Sequence, residues 1–450
     1  MIHTFQALGC YIAMDVDSGA VHVLDRMSYD LLNCVEPPVS ERCPDEILTR
    51  LSQYPREALE ECWQEIRELA EQKLLFEQED YINPQWAVVK NTPIKALCLN
   101  VAHDCNLRCK YCFASTGGYG TQRKIMSPET AKRAIDFVIE KSGKRRNIEV
   151  DFFGGEPLMA MDTVKETIAY ARSIEERYDK NFRFTITTNG MLLNQENTDY
   201  INRELKNAVL SMDGRKEIND DKRSTPAGKG SYDIIVPKFQ KLVEERGDQE
   251  YYLRGTFTKD NLDFASDVLH ICDDLGFKNV SVEPATGKVG DPFAITEEEL
   301  PAVFKEYEKL ATELLKRPDV NFFYVDLEQG PCVIKRMRGC GAGNEYVAVT
   351  PEGDIYPCHQ FVGNAAFKMG NLYDGSFRTE VADQFSSVNI YTKEECKTCW
   401  AKFYCSGGCS ASNYNINGDI MKPSHIACEL ERKRLECAIA MKAIRAGLTE

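Results

Sequence analysis

Between residues 96 and 284 six short apolar runs alternate with amphipathic segments, and that alternation limits the fold more than any other feature of the chain. The runs are ALCLNVA (96–102), NIEVDFF (147–153), FRFTITT (182–188), NAVLSM (207–212), YYLRGTF (251–257) and NVSVEP (279–284). Each has the length of a strand, and the stretches between them, such as PETAKRAIDFVIEKS at 128–142, carry helical periodicity. Strands that alternate with helices pair in parallel through right-handed crossovers. Six units are too few to close an eight-fold barrel, so the expectation is an α/β fold with a partial, open (β/α)6 barrel. In parallel barrels, function sits at the C-terminal ends of the strands.

The flanks read differently. Residues 1–85 form a small module: CYIAMDVDSGAVHVL (10–24) alternates around an Asp-Ser-Gly turn like a β-hairpin, and three helical stretches follow. The last, REALEECWQEIRELAEQKLL (56–75), places Leu59, Cys62, Trp63, Ile66, Leu69 and Ala70 on one stripe. A hairpin with three helices predicts a winged-helix-like domain. The acids crowding its final helix favour a peptide or protein partner over DNA. Residues 80–94 read as a linker, 95–325 as the barrel, and 326–450 as a loop-rich module in which cysteine density rises.

Eighteen cysteines and a net charge of −15 in 450 residues narrow the chemistry. The chain has no basic stripe for a phosphate backbone, so no nucleic-acid partner is expected. It has no run near the ~18 apolar residues of a membrane span. The opening MIHTFQALGCYIAMDVDSGA lacks a basic region followed by an apolar one, so a cytoplasmic location is expected, with no membrane. In a reducing compartment, clustered cysteines are metal ligands rather than disulfides.

Cys105, Cys109 and Cys112 follow the first strand in AHDCNLRCKYCF, a C-x3-C-x2-C triplet. Three thiolates on one loop can hold three irons of a [4Fe–4S] cluster and leave the fourth open for chemistry. They also suit a zinc loop with a distant fourth ligand. The second strand closes on Gly154-Gly155-Glu156-Pro157, where glycines let a ligand approach the backbone and the carboxylate can pair with an ammonium group. Downstream lie Cys340, Cys358, then Cys396-x2-Cys399-x5-Cys405-x3-Cys409, and Cys428. The other cysteines (10, 34, 43, 62, 98, 272 and 437) lie mostly in apolar patterns, as small buried hydrophobes do.

With the triplet and the GGEP turn together, the chain resembles the radical S-adenosylmethionine enzymes, and the later cysteines match the SPASM pattern. The resemblance implies that Cys105, Cys109 and Cys112 bind the catalytic cluster and that the glycine-rich turn of Gly154, Gly155 and Glu156 meets the methionyl amine. It implies that Tyr111 neighbours the adenine, and that Asn189, Ser211 and Arg223 hold the ribose and carboxylate of S-adenosylmethionine. By the SPASM arrangement Cys340, Cys358 and Cys409 would bind a first auxiliary [4Fe–4S] cluster, and Cys396, Cys399, Cys405 and Cys428 a second, for three clusters in all. The first is one ligand short. Cys332 could supply it, as a matching cysteine does in anaerobic sulfatase maturases, or a substrate thiolate could.

Length, the NVAHDCNLRCKYCFA run, YPCHQFVG and the N-terminal module most closely resemble maturases of six-cysteine (SCIFF-type) peptides. These build Cys-to-Thr thioether (sactionine) bonds in a Cys-rich precursor peptide held by its leader, with electrons from a donor of ferredoxin or flavodoxin type. Other SPASM maturations, such as formylglycine formation or quinohemoprotein-type crosslinking, are the alternative, and an iron–sulfur electron carrier or peptide-binding scaffold is the non-enzymatic one. Sulfatase maturases carry an aspartate where this chain has His359, which could act as a base or hydrogen-bond a cluster sulfide. Glu283, at the end of the sixth strand, could face the ligand or be a satisfied barrel carboxylate.

Overall fold

A computed structural model describes residues 1–78, 83–88, 90, 92–323 and 333–448. Period-two alternation shapes the N-terminal module. The expected hairpin is present as β2 (Cys10–Asp15) and β3 (Val21–Leu24), but a third strand, β1 (Ile2–Ala7), precedes it and pairs antiparallel with β2. Helices Arg26–Leu32, Asp45–Arg50 and Arg56–Glu71 follow. One face of the sheet, through Ala13, packs on Leu31, Leu48, Leu59, Trp63 and Ile66 of the helices. The other face, through Phe5, Ile12 and Met14, packs on Trp400, Leu435 and Ile439 of the C-terminal module. Both faces are covered, so the module is docked rather than tethered.

The barrel strands lie where the apolar runs place them: β4 (Ala96–Ala102), β5 (Asn147–Gly154), β6 (Asn181–Thr188), β7 (Asn207–Ser211), β8 (Tyr251–Phe257) and β9 (Asn279–Pro284), each parallel to the next. Ile148, Val150 and Phe152 of β5 join the fully buried layer under the helices, which leaves Asp151 and Phe153 on the concave side. A two-residue strand, β10 (Asn321–Phe322), extends the sheet beyond β9.

The sheet does not stop at the other edge either. β11 (Tyr346–Val349) runs parallel to β4, and β12 (Asp354–Tyr356), β13 (Gly370–Asn371) and β14 (Ser376–Phe377) continue outward antiparallel, giving one eleven-stranded sheet. The cysteine-rich module is therefore stitched to the barrel by backbone hydrogen bonds. It also contains a 21-residue helix, His425–Arg445, within what the sequence reading took as a loop-rich module. Its buried residues, among them Leu430, Leu435, Cys437, Ile439, Ala440 and Met441, surround much of the helix, which lies between Leu300–Leu315 and the N-terminal sheet. Burial on two sides blurs the single stripe that marks a surface helix. No described helix is long and apolar enough to cross a membrane.

Phe5 is 5% exposed and packs near Trp400, their ring centroids 6.4 Å apart. Phe5→Ala should cost about 3 kcal/mol of stability and lower the protein's resistance to limited proteolysis. Wild-type resistance in the variant would show that this contact does not hold the module.

Candidate active site

The mouth of the barrel is built on a close backbone seam. The Gly155 N–H donates to the Ala102 carbonyl at 2.7 Å, and the Glu156 N–H to the Asp104 carbonyl at 2.9 Å. A Cβ on Gly154 would lie 2.4 Å from the Ala102 oxygen, and one on Gly155 2.0 Å from the Asp104 oxygen, so neither position accepts a side chain. Gly117, with φ +91°, closes the cysteine loop from the other side, where a Cβ would lie 2.6 Å from the Cys105 Cβ. The loop's outer rim is held by a second backbone pairing: Arg108 N–H donates to the Ser224 carbonyl (2.7 Å) and Lys110 N–H to the Lys222 carbonyl (3.0 Å).

These seams border a cavity of about 140 Å³ lined by every residue the sequence reading assigned to this site: Cys105, Cys109, Cys112, Tyr111, Gly154, Gly155, Glu156, Asn189, Ser211 and Arg223. Phe113, Phe153, Gly117 and Thr187 are also part of its wall. Burial pushes the Cys105 thiol up to about 11 and that of Cys109 up to about 12. Buried thiols of this kind give up their protons when a metal takes their place.

Polar groups at the cavity are held by one another. Asn189 Nδ2 donates to Asn106 Oδ1 at 2.8 Å and reaches Cys105 Sγ at 3.6 Å. Arg223, 8% exposed, faces Cys109 Sγ at 3.8 Å, and its Nε lies 3.2 Å from Asp213 Oδ1. Asp213 also accepts the Tyr111 hydroxyl at 2.6 Å and the Thr256 N–H at 3.0 Å. Asp213 thus sets the pose of both Tyr111 and Arg223, and the sequence reading passed over it; its signal was an acid directly after the fourth strand, in LSMDG. The Glu156 carboxylate accepts from Leu158 N–H (3.0 Å), Thr188 Oγ1 (2.7 Å) and Asn189 N–H (2.8 Å). Three protein donors occupy it, so its main work here is to tie the ends of β5 and β6 together. Glu283 accepts from Arg254 at 2.7 Å, as a satisfied barrel carboxylate.

The C-terminal cysteines fall into two groups, judged by which thiols act on one another's charge. Cys358 feels Cys409 and Cys340, and Cys405 feels Cys428, Cys396 and Cys399. The second group is a full set of four; Cys332 lies outside the described residues. Among those residues no three His, Cys, Asp or Glu side chains enclose a single metal ion, whereas a cluster asks for one thiolate per iron. The donor sets, soft and grouped as three, three and four, fit iron–sulfur clusters.

His359 stands between the first of these groups and the cavity. Its ring centroid lies 4.8 Å from that of Phe153 and 5.4 Å from that of Phe113, and Nδ1 is 3.0 Å from the Tyr346 hydroxyl. Burial pushes its pKa down to about 4, which keeps the imidazole neutral through the physiological range. Tyr119, on the same partition, feels the charges of both Cys112 and Cys358.

Burial raises the Glu156 pKa from 4.5 to about 7, against the hydrogen bonds that favour its charge. The folded protein then binds this proton more tightly than the unfolded chain, so stability is lost as pH rises from about 4.5 to 7. Relative to Glu156→Gln, the wild type should lose on the order of 3 kcal/mol between pH 4.5 and 8. Urea unfolding of both proteins at the two pH values measures it, and a pH-independent difference would refute the shift.

Comparisons with known proteins agree with this architecture. Residues 99–255 match the Radical SAM superfamily, and residues 340–400 match SPASM, an iron–sulfur cluster-binding domain. The chain is 26% identical over 363 residues to the radical SAM cyclopropyl synthase TigE of Paramaledivibacter caminithermalis, covering 75% of this chain and 72% of that protein. The structure of anSMEcpe with bound AdoMet superposes with a TM-score of 0.67 at 19% identity, covering 80% of this chain and 96% of that one. Streptococcus suis SuiB bound to its precursor peptide SuiA superposes with a TM-score of 0.57 at 15% identity, covering 95% and 98%. Residues 99–255, on the partial parallel barrel, are thus similar to the Radical SAM superfamily, and residues 340–400 to the SPASM iron–sulfur cluster-binding domain.

Proposed function

We propose that the protein is a peptide maturase that forms intramolecular Cys-to-Thr thioether crosslinks in a ribosomally made, Cys-rich precursor peptide. The observation that carries this reading is the adjacency of two cysteine groups across one thin partition. Cys105, Cys109 and Cys112 line the cavity, while Cys358 adjoins it through His359, Phe153 and Phe113. A substrate at the mouth of the barrel would meet both groups. The relatives' own descriptions, a cyclopropyl synthase and an enzyme bound to a precursor peptide, support peptide modification as the general class.

When bound, the Cys105/Cys109/Cys112 cluster and S-adenosylmethionine supply a carbon-centred radical that takes a hydrogen atom from the peptide. The chain's own residues do the rest by position. Gly154 and Gly155 would open the backbone to the methionyl amine, Arg223 would offer a forked cation to its carboxylate, Asn189 and Ser211 would meet the ribose, and Tyr111 the adenine. Cys340, Cys358 and Cys409 would hold the first auxiliary cluster, with Cys332 or the substrate thiolate as the remaining ligand. Cys396, Cys399, Cys405 and Cys428 would hold the second. A neutral, buried His359 is a poor proton acceptor, and this disfavours formylglycine chemistry, for which related enzymes carry an aspartate at this position.

Residues 1–78 supply the leader site in this proposal. β1 is packed against His425–Arg445, whereas β3 pairs only with β2 among the described residues and offers its outer edge. An extended leader would add there as a strand. Electrons would come from an external donor of ferredoxin or flavodoxin type.

Incubation with S-adenosylmethionine and dithionite should yield 5′-deoxyadenosine, and Cys105→Ala, Cys109→Ala, Cys112→Ala should abolish it. Unchanged turnover in the triple variant would overturn the site. Mass spectrometry of a co-expressed Cys-rich peptide should show loss of two hydrogens per crosslink together with protection from iodoacetamide. Hydrogen loss without consumption of thiols would favour another SPASM reaction.

A further inference from the structure

Lys393 precedes Cys396 by three residues and is 1% exposed. Its ammonium donates to the Gly407 carbonyl at 2.5 Å. None of the described carboxylates is paired with it. Burial works against its charge, and the groups that favour it are the thiols of Cys396, Cys405, Cys409 and Cys428. Three of these belong to the four-cysteine group and one, Cys409, to the other. A cation buried in this way without a counter-ion costs several kcal/mol, and an apolar side chain of the same length would avoid that cost. The site therefore makes physical sense once the sulfurs around it are thiolates.

Arg432 also acts on Cys428 and hydrogen-bonds Cys399, but its guanidinium is shared with the Glu429 carboxylate, which offsets part of its charge. Lys393 brings a whole one. Four thiolates leave a bound cluster net negative, and reduction adds a further negative charge. A fixed ammonium beside it stabilises the reduced form, because the interaction is strong where water is excluded. Gly407 lies between Cys405 and Cys409 in the sequence, so the carbonyl that anchors the ammonium belongs to the same loop as the ligands.

We infer that Lys393 is the built-in counter-charge of the auxiliary iron–sulfur groups, raising the reduction potential of the four-cysteine one and acting on the other through Cys409. The inference rests on the proposal that these cysteines bind clusters. As a positioning residue of charge, it calls for a readout other than turnover.

The test uses the full-length Cys105→Ala, Cys109→Ala, Cys112→Ala protein as parent, so that only auxiliary clusters contribute, with Lys393→Met and Lys393→Arg added separately. Iron content is measured first and potentials then by EPR-monitored redox titration. Lys393→Met should retain the parent's iron and titrate at least 59 mV more negative, a tenfold change in a one-electron equilibrium, while Lys393→Arg stays near the parent. Loss of iron in Lys393→Met with retention in Lys393→Arg would support the same role. Equal potentials in all three proteins would overturn the inference. So would equal loss of iron in both variants, which would assign the lysine a role of shape. A parent that takes up no iron would sink the cluster reading itself, and the inference with it.

Discussion

The approach of two strand ends without side chains between them is the constraint on which the rest of this molecule depends. Gly154 and Gly155 lie so close to the backbone of Ala102–Asp104 that a Cβ on either would fall inside van der Waals contact. That contact holds the cysteine loop directly over the barrel mouth, and Gly117 pins it from above. The three thiols therefore face a cavity rather than solvent. A loop standing off by the width of one side chain would leave the same sulfurs on the surface, open to water.

Around this seam the structure spends buried charge only where another group answers it. Asp213 meets Arg223 and Tyr111, Glu156 meets the donors at the ends of β5 and β6, and Lys393 meets the sulfurs of the auxiliary groups. Between the cavity and the first auxiliary group stands a partition of Phe113, Phe153, Tyr119 and a neutral His359. Such a wall keeps the two thiol groups near each other but apart. The proposed thioether chemistry would need such a separation, close enough for one substrate to reach both.

The strands of the barrel were legible because parallel strands buried under helices read as near-continuous apolar runs. All six fall within a residue or so of those runs. β1 was missed because IHTFQA is short and half-polar, and β11 because YVAV is four residues long and finds its partner, β4, some 250 positions earlier in the chain. Neither carries a local mark of the partner it pairs with. Helix His425–Arg445 was missed for the opposite reason: two neighbours bury it, so its apolar residues form no single stripe.

For the site, spacing alone marked the candidate metal-binding cysteines, because ligands on one short loop must follow one another at fixed intervals to reach one cluster. The sequence likewise determined the GGEP turn, since only glycine tolerates that approach. It could not assign Asp213, Gly117 or Lys393, whose work lies in contacts with residues far along the chain. The grouping of Cys409 with Cys340 and Cys358 rather than with its near neighbour Cys405 was implied by resemblance, and only the tertiary structure places the charges of Cys409 and Cys340 within reach of Cys358. Local chemistry sets which residues can ligate, turn or titrate; tertiary packing decides which of them meet, how dry the meeting place is, and hence what charge each can hold there.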